Sequence, residues 1–238
     1  MKTLELFAGS RSFSKIAEEH GHDTYTTDIN PFDKIDQVCN IFDFDPSQVP
    51  YVPEFIWASV PCYTFSVASI GHHWTGGHRA YKPKTKEAEV GIRIAQKTAD
   101  IIEYYKTLNP GLLFLVENPR GVLRKLGVFD NKYLQTAWYC QYGDTRAKPT
   151  DLWTNFNWTT KTCKNGNPDC HHERAPRGSR TGTQGLKNNY ERSKVPSQLC
   201  KKVLQKVELQ LLNDKLNCYA CATQRYACHH DQWEDYVS

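Results

Sequence analysis

Short apolar segments alternate with amphipathic ones through the first half of the chain. Between residues 86 and 106, apolar residues recur at steps of three and four, which predicts a long helix, and a shorter helix is predicted over 13–20. Strands that are apolar throughout and alternate with helices are typical of a mostly parallel sheet covered on both faces. We therefore predict an α/β fold with strands over 3–7, 24–27, 55–59 and 112–116.

The pattern changes near Asp151. From 153 to 196, Gly, Asn, Pro, Thr and basic residues dominate and there is little helical or strand periodicity. An apolar face resumes at Ser197 and predicts a helix through residue 212. We therefore expect three parts: a sheet domain over 1–152, a small loop-rich lobe over 153–196, and a C-terminal helix with a Cys/His-containing tail over 197–238.

Composition and charge narrow the class of protein. No apolar run approaches the roughly 18 residues of a membrane helix, and the start of the chain lacks the apolar core of a secretory signal. Nine cysteines, an odd number spread along the chain, argue against a disulfide framework and favour a reducing compartment. We therefore expect a protein of a reducing, cytoplasmic compartment, without membrane contact.

The charge is distributed unevenly along the chain. Residues 1–60 carry four Lys/Arg against ten Asp/Glu, whereas residues 161–206 carry eleven Lys/Arg against three Asp/Glu. A basic segment of this kind suits a polyanionic partner such as nucleic acid. A solvated loop face would have the same composition, so both interpretations stay open.

Two strands end in residues that can carry chemistry. Pro61-Cys62 follows the strand over 55–59, and carboxyl ends of strands in open α/β sheets face the ligand crevice. Basic residues over 72–84 would favour the thiolate of Cys62, which is the nucleophilic form. Glu117 ends the next apolar strand, where a carboxylate can act as an acid or base. The ordinary alternatives are an inert buried thiol and a helix cap.

The first strand runs into a small-residue turn ahead of a helix. Ala8-Gly9-Ser10 would let a ligand approach backbone N–H groups at the helix N-terminus. Asp28, at the end of the next strand, could hold ribose hydroxyls. The turn has Ser10, Arg11 and Ser12 where a G-x-G-x-x-G motif needs further glycines, so a nicotinamide dinucleotide is disfavoured.

Taken in order, these segments resemble the C5-cytosine DNA methyltransferases, in particular compact phage-type members. The resemblance is carried by Phe7-Ala8-Gly9, Asp28, Pro61-Cys62, Glu117-Asn118-Pro119 and Tyr142-Gly143, within residues 3–156. It departs at Tyr63, where the family has glutamine, and at Pro119, where the family has valine. The resemblance implies a Rossmann-like class I methyltransferase fold, with an S-adenosylmethionine-binding catalytic domain over 1–152 and target recognition over 153–196.

The resemblance also implies roles for individual residues. Cys62 would attack C6 of a flipped cytosine and Glu117 would contact the N3/N4 edge of the base, with Lys148 as the nearby cation and Arg146 as the second choice. The implied cofactor contacts are Phe7, Ala8, Gly9, Ser10, Ser12, Asp28, Ile29, Asn40, Ile41 and Pro61. The DNA contacts that we predict from the basic residues are Arg79, Lys164, Arg174, Arg177, Arg180, Lys187 and Arg192.

Two Cys/His groups could bind zinc. Cys163, Cys170, His171 and His172 form one, and Cys218, Cys221, Cys228 and His229 form the other. The second is the better candidate because Cys218-x-x-Cys221 has a spacing that zinc sites use. Free thiols and DNA-facing histidines are the favoured explanation of both groups, so we assign no metal ligand.

The activity that the resemblance implies is methyl transfer to cytosine, with S-adenosylmethionine as cofactor and DNA as partner. We expect a monomer in the cytoplasm of a bacterial or phage-infected cell. An enzyme that methylates amino groups would carry a Pro-Pro-aromatic segment where this chain has Ser59-Val60-Pro61-Cys62. Two alternatives remain. One is an RNA cytosine C5-methyltransferase of the DNA type, and the other is a non-catalytic DNA-binding protein that keeps the fold.

Overall fold

The computed structural model describes residues 1–77, 80–174 and 188–223. Nine strands are found there: β1 (Lys2–Leu6), β2 (Asp23–Asp28), β3 (Gln37–Val38), β4 (Phe55–Ser59), β5 (Trp74–Thr75), β6 (Lys82–Pro83), β7 (Leu113–Pro119), β8 (Gln135–Trp138) and β9 (Pro149–Thr154). The helices of this part are α1 (Ser12–Glu19), α2 (Ile70–His73), α3 (Lys86–Leu108), α4 (Asn189–Ser193) and α5 (Ser197–Thr223). None of these helices has the length and apolar character that a membrane crossing needs.

Seven strands form one mixed sheet in the order β3-β2-β1-β4-β7-β9-β8, and β5 pairs with β6 in a separate hairpin. Every neighbouring pair up to β7 is parallel, whereas β9 runs antiparallel to both β7 and β8. The chain builds outward from β1 to β3 and then returns to β4 on the other side of β1. Such a switch point opens a crevice outside the carboxyl ends of the strands. The predicted α/β fold with a mostly parallel sheet is confirmed, and it is compatible with a Rossmann-like arrangement.

Helices cover both faces of the sheet. Along β4, Phe55 and Trp57 pack with the α1 and α5 side chains, whereas Ile56 and Ala58 belong to the core that contains α3. Each of these four residues is fully buried. The alternation explains why the strand is apolar at every position, since a strand covered on both faces has no solvent side.

The predicted elements are present, with several differences. The strand predicted over 24–27 spans Asp23–Asp28 and is polar and partly exposed, because its outer neighbour β3 is only two residues long. The pattern did not predict β8 or β9, and α5 extends to Thr223 rather than ending at residue 212. Trp153, Phe156 and Trp158 are buried in the core, so the sheet domain continues past residue 152.

Candidate functional site

Cys62 lies in a tight loop that follows β4. Its carbonyl oxygen accepts hydrogen bonds from the amides of Phe65 and Ser66, both at 3.0 Å, so the chain turns back immediately. The side chain of Asn118 is fully buried near the end of β7, and its Nδ2 donates to the carbonyl oxygen of Val60 at 2.8 Å. The loop that carries the thiol is therefore attached directly to the neighbouring strand.

Two glycines allow this loop to pack closely against its surroundings. A Cβ at Gly121 would lie 2.1 Å from the carbonyl oxygen of Phe65, and a Cβ at Gly91 would lie 2.7 Å from Oγ1 of Thr64. The amide of Val122 donates to the same Phe65 oxygen at 2.8 Å. The segment after β7 and helix α3 thus hold the loop from two sides, and the position of the thiol is set by backbone contacts.

Glu117 lies on β7 beside the Cys62 loop. It pairs with Ser59 of β4 and is only 5% exposed. The hydroxyl of Tyr139 donates to its Oε1 at 2.9 Å, and Oε2 has no hydrogen-bond partner among the described residues. Because Glu117 is inside a strand, the alternative that it caps a helix is wrong. A buried carboxylate with one oxygen fixed and the other open is suited to contact a ligand.

Tyr139 joins this carboxylate to the basic residues that follow it. Nζ of Lys148 lies 4.6 Å from the centroid of the Tyr139 ring, and the guanidinium carbon of Arg146 lies 5.6 Å from it. Burial and the neighbouring Glu117 raise the pKa of Tyr139 well above its ordinary value, so the hydroxyl stays protonated and donates. Tyr139 was not predicted, since nothing in its sequence context indicates that its hydroxyl turns toward β7.

The charges around Cys62 act in opposite directions. Burial raises the pKa of the thiol, Lys148 lowers it, Glu117 adds to the effect of burial, and Arg192 also lowers it. The cations that favour the thiolate therefore include two residues that are distant in sequence. The histidine-rich segment was expected to have this role, but Nδ1 of His73 is bonded to Oγ1 of Thr85 at 2.7 Å.

Arg146 is occupied within the fold. Its Nε lies 2.8 and 2.9 Å from the two carboxylate oxygens of Asp144, and NH2 also contacts that carboxylate. NH1 and NH2 donate to the carbonyl oxygens of Arg192 and Lys194 at 3.1 and 3.2 Å. With 6% exposure, Arg146 positions the segment before α5 and is not a free cation beside a substrate. Lys148 has no ion-pair partner among the described residues, so of the two it is the cation available to a ligand.

The ten predicted cofactor residues follow strand ends at one edge of the sheet. Phe7 and Arg11, in the turn after β1, have positive φ angles of 57° and 55°, which is uncommon outside glycine. The Gly9 amide in the same turn donates to Oδ2 of Asp28 at 3.0 Å. Such strain persists where the surroundings enforce it and is frequent at ligand sites. The ten residues are Phe7, Ala8, Gly9, Ser10 and Ser12 after β1, Asp28 and Ile29 at β2, Asn40 and Ile41 after β3, and Pro61 after β4.

A side chain of the protein itself occupies two of the backbone amides at the N-terminus of α1. The Glu5 carboxylate, buried on β1, accepts from the amides of Phe13 and Ser14 at 3.4 and 2.8 Å. Burial raises the pKa of Glu5, while these hydrogen bonds and Arg11 oppose the rise. The expectation that a ligand binds these helix amides is wrong for the two that Glu5 occupies. An anionic group would meet a carboxylate there rather than free N–H donors.

Two distant segments meet at the β1 turn. Ser12 Oγ accepts from the amide of Val195 at 3.1 Å and lies 2.8 Å from the hydroxyl of Ser10. The side chain of Ile29 is 62% exposed at the end of β2, and Oδ1 of Asn40 accepts from the Phe42 amide at 3.1 Å. The crevice edge therefore combines hydroxyl and carboxylate groups with one exposed aliphatic surface.

Three of the predicted DNA contacts lie in the described part of the chain. Lys164 and Arg174 are exposed, whereas Arg192 is partly buried. The basic segment predicted over 161–206 supplies a further cationic surface: Lys161, Lys201, Lys202 and Lys206 line a cavity of about 620 Å³ between α5 and the segments after β8 and β9, and the cavity itself was not predicted. The remaining predicted contacts, Arg79, Arg177, Arg180 and Lys187, lie outside the described residues.

Three members of the first Cys/His group come together with a residue that was not predicted. The ligand atoms of Cys140, Cys163, Cys170 and His172 all lie within 4.8 Å of one another. His171 is not part of this cluster, because its Nε2 lies 3.1 Å from the carbonyl oxygen of Asp144. The side chains of the second group, from Cys218 to His229, lie outside the described part of the structure.

No family model matches the chain, and no curated protein is significantly similar to it. The candidate function therefore depends on the arrangement of the residues themselves. The arrangement brings a thiol, a buried carboxylate and a lysine to the edge of the sheet where the switch point opens.

Proposed function

We propose that the protein transfers a methyl group from S-adenosylmethionine to C5 of cytosine in DNA. The observation that carries the proposal is the attachment of the Cys62 loop to the strand that bears Glu117. Asn118 makes that attachment through the Val60 carbonyl, and Tyr139 fixes one oxygen of the carboxylate. A nucleophile and an acid held side by side are the groups that this reaction needs.

The reaction needs both groups because C5 of cytosine is a poor nucleophile. Addition of the Cys62 thiolate to C6 moves the electrons of the C5–C6 double bond into the ring, and a proton from Glu117 at N3 offsets the charge. C5 is then enamine-like and bonds to the incoming methyl group. A solvent-borne base then takes the C5 proton, the sulfur–C6 bond breaks, and the N3 proton returns to Glu117, which restores the ring, the thiolate and the acid. Glu117 can reach the base through Oε2, since Tyr139 occupies Oε1.

Electrostatics support the same assignment. A thiol whose pKa is raised by burial needs a cation to become a nucleophile at neutral pH. Lys148 supplies the largest opposing influence on Cys62 and also lies over the ring of Tyr139. Lys148 therefore has two functions in the proposal: it favours the thiolate and it balances the negative charge of the carboxylate.

The crevice edge fits the proposed cofactor. S-adenosylmethionine supplies an electrophilic methyl group on a positively charged sulfur and carries no phosphate. A turn in which Glu5 occupies two of the helix amides has fewer free donors for a phosphate. Asp28 would hold the ribose hydroxyls, and the exposed side chain of Ile29 offers an apolar surface to the adenine.

The partner is assigned from charge and from access to the reacting atoms. Both ring carbons of cytosine are hidden in a duplex, so the base must leave the stack. Arg192 is partly exposed and lies close enough to Cys62 to lower the pKa of its thiol. A cation in that position would meet the phosphates of a flipped nucleotide while Lys148 contacts the base.

Covalent trapping tests the proposal. The full-length protein is incubated with S-adenosylmethionine and a duplex in which 5-fluorocytosine replaces cytosine, and the adduct is detected on a denaturing gel. Fluorine at C5 cannot leave as a proton does, so the sulfur–C6 bond persists. We expect an adduct with the wild type and with Cys39→Ala, and none with Cys62→Ala.

The substrates of the same experiment separate the alternatives. Adducts are compared on duplex DNA, single-stranded DNA and RNA of equal sequence. Trapping on RNA alone would replace DNA by RNA in the assignment. Binding of DNA with no adduct on any substrate, or an adduct that persists in Cys62→Ala, would reject the proposal in favour of a binding protein or another nucleophile.

A further inference from the structure

Four potential metal ligands converge where the loop-rich segment meets the sheet domain. Cys140 is buried in the turn after β8, whereas Cys163, Cys170 and His172 come from the irregular segment that follows β9. Their sulfur and nitrogen atoms lie within 4.8 Å of one another. We propose that Cys140, Cys163, Cys170 and His172 bind one structural zinc ion.

The distances suit a tetrahedral zinc site. With zinc–sulfur bonds of about 2.3 Å, sulfur atoms at tetrahedral corners are about 3.8 Å apart, and a sulfur and an imidazole nitrogen are about 3.6 Å apart. Sγ of Cys163 lies 3.9 Å from Nδ1 of His172. No two of the four ligand atoms are more than 4.8 Å apart, so a shift of about one ångström at most brings any pair to the ideal value. Three cysteines and one histidine form a donor set that structural zinc sites use.

Polar groups around the sulfurs support thiolates rather than a hydrophobic packing of thiols. Nδ2 of Asn167 donates to Sγ of Cys163 at 3.6 Å, and Nε2 of Gln141 donates to Sγ of Cys170 at 3.5 Å. Donors in this outer position orient metal ligands and stabilise their charge. A disulfide between two of the cysteines would leave the third thiol and the histidine in the same cluster without a function.

The geometry distinguishes between His171 and His172 as the fourth ligand. His171 turns away to the Asp144 carbonyl, whereas the ring of His172 is 8% exposed and faces the sulfurs. The Gly166 amide contacts Nε2 of His172 at 3.1 Å. With zinc on Nδ1, the ring proton would move to Nε2, so this contact has to open when the metal binds. His172 and not His171 is therefore the ligand.

Zinc at this position would hold the irregular segment to the core. Four protein ligands leave no open coordination position, which is typical of structural rather than catalytic sites. Cys140 directly follows Tyr139, whose hydroxyl bonds to Glu117. The metal would thus attach the loop over 163–172 to the same turn that positions the buried carboxylate.

Metal analysis of the full chain tests this site independently of any activity. We expect one zinc per chain after purification, and a tetrahedral, thiolate-rich absorption spectrum when Co²⁺ is added to the metal-free, reduced protein. Cys163→Ser should lose the metal and the spectrum, whereas the neighbouring variant His171→Ala should keep both. The double variant Cys218→Ser/Cys221→Ser should also keep both, since its changes lie in the other Cys/His group.

A further variant distinguishes the loss of metal binding through removal of a ligand from its loss through misfolding. In His172→Cys the ligand set changes from three to four thiolates, so the sulfur-to-cobalt charge-transfer band should become stronger while binding persists. An unchanged band in this variant would overturn the proposal. The same conclusion follows if the wild type binds neither metal, or if metal is kept in Cys163→Ser and lost in the Cys218/Cys221 double variant.

Discussion

Replacement of Arg146 by methionine should destabilise the whole domain. The ion pair with Asp144 is largely buried, with side-chain exposures of 7% for Arg146 and 13% for Asp144. Removing one partner of a buried pair costs about 3–5 kcal/mol, because the remaining charge is left without compensation. Methionine has a similar length and fills most of the volume, so loss of packing contributes little.

The magnitude can be refined from the contacts. The slight exposure of Asp144 favours the lower end of that range, about 3 kcal/mol. The carbonyl oxygens of Arg192 and Lys194 also lose a charged donor, which adds roughly 1 kcal/mol. For a domain of this size, each kcal/mol lowers the melting temperature by about 2–4 °C, so a decrease of roughly 8–16 °C is expected.

Thermal unfolding followed by circular dichroism measures this loss, with Lys194→Met as the control. The side chains of the Lys194–Glu191 pair are 44% and 47% exposed, and such a pair contributes about 0–1 kcal/mol. Melting temperatures of Arg146→Met and Lys194→Met within 2 °C or so of each other would refute the structural role of Arg146.

The pH dependence gives a second check on the same pair. Burial acts to raise the pKa of Asp144, but the hydrogen bonds and charge of Arg146 outweigh burial and leave the pKa below its ordinary value. A lowered pKa stabilises the fold above the ordinary pKa of an aspartate, and this stabilisation is lost as the pH falls through the folded-state value. In Arg146→Met, protonation of Asp144 removes the unpaired buried charge, so the destabilisation decreases at low pH. The difference between wild type and variant should therefore be largest near pH 7 and decrease toward pH 4, and a difference that grows on acidification would contradict the assignment.

Three further predictions concern the loop and the carboxylate. Lys148→Met should leave the melting temperature unchanged but raise the pKa of Cys62. The trapping rate should therefore begin to rise only at higher pH than in the wild type. At neutral pH the rate should fall about tenfold for each pH unit by which this rise is displaced. Gly121→Ala should destabilise the protein by about 1–3 kcal/mol in urea unfolding and slow the trapping reaction, because the new methyl group meets a carbonyl oxygen. The control Gly111→Ala introduces ordinary contacts only and should change neither the stability nor the trapping rate. Tyr139→Phe removes a hydrogen bond to a buried carboxylate and should reduce the single-turnover trapping rate by roughly 10–100-fold, with a rate equal to wild type as the result that excludes a role for the hydroxyl.

The sequence predicted the parallel core of the sheet well. Strands such as β4 and β7 are covered on both faces, so their apolar runs have few other interpretations. By contrast, β8 and β9 were missed. Both contain polar residues that have partners distant in sequence: Oδ1 of Asp151, on β9, accepts from Arg124 and from Thr136 of β8 at 2.8 Å each. Periodicity cannot reveal a buried polar residue whose partner is distant in sequence.

In the candidate site, too, some features were predictable from the sequence and others were not. Positions that depend on strand order, such as Cys62 and Glu117, were predicted to lie together because both were placed at the carboxyl ends of parallel strands of one sheet. Roles that depend on side-chain partners were not predictable. Arg146 and Lys148 are two residues apart and share the neighbour Tyr139, yet within the described ranges only Arg146 forms an ion pair with a carboxylate. The difference comes from Asp144, whose carboxylate also accepts a hydrogen bond from the amide of Arg146, two residues further along the chain.

Tyr139 and Cys140 connect the two proposals physically. The backbone of Tyr139 is fixed on one side, where its amide donates to the Lys148 carbonyl at 3.1 Å, and its hydroxyl reaches Glu117 on β7. The next residue, Cys140, contributes its sulfur to the metal-ligand cluster. A shift of this turn on metal loss would therefore move a hydrogen bond to the buried carboxylate, although the ligands lie outside the crevice. Zinc removal and Tyr139→Phe should consequently impair trapping in the same way, whereas only zinc removal should also loosen the segment over 163–172.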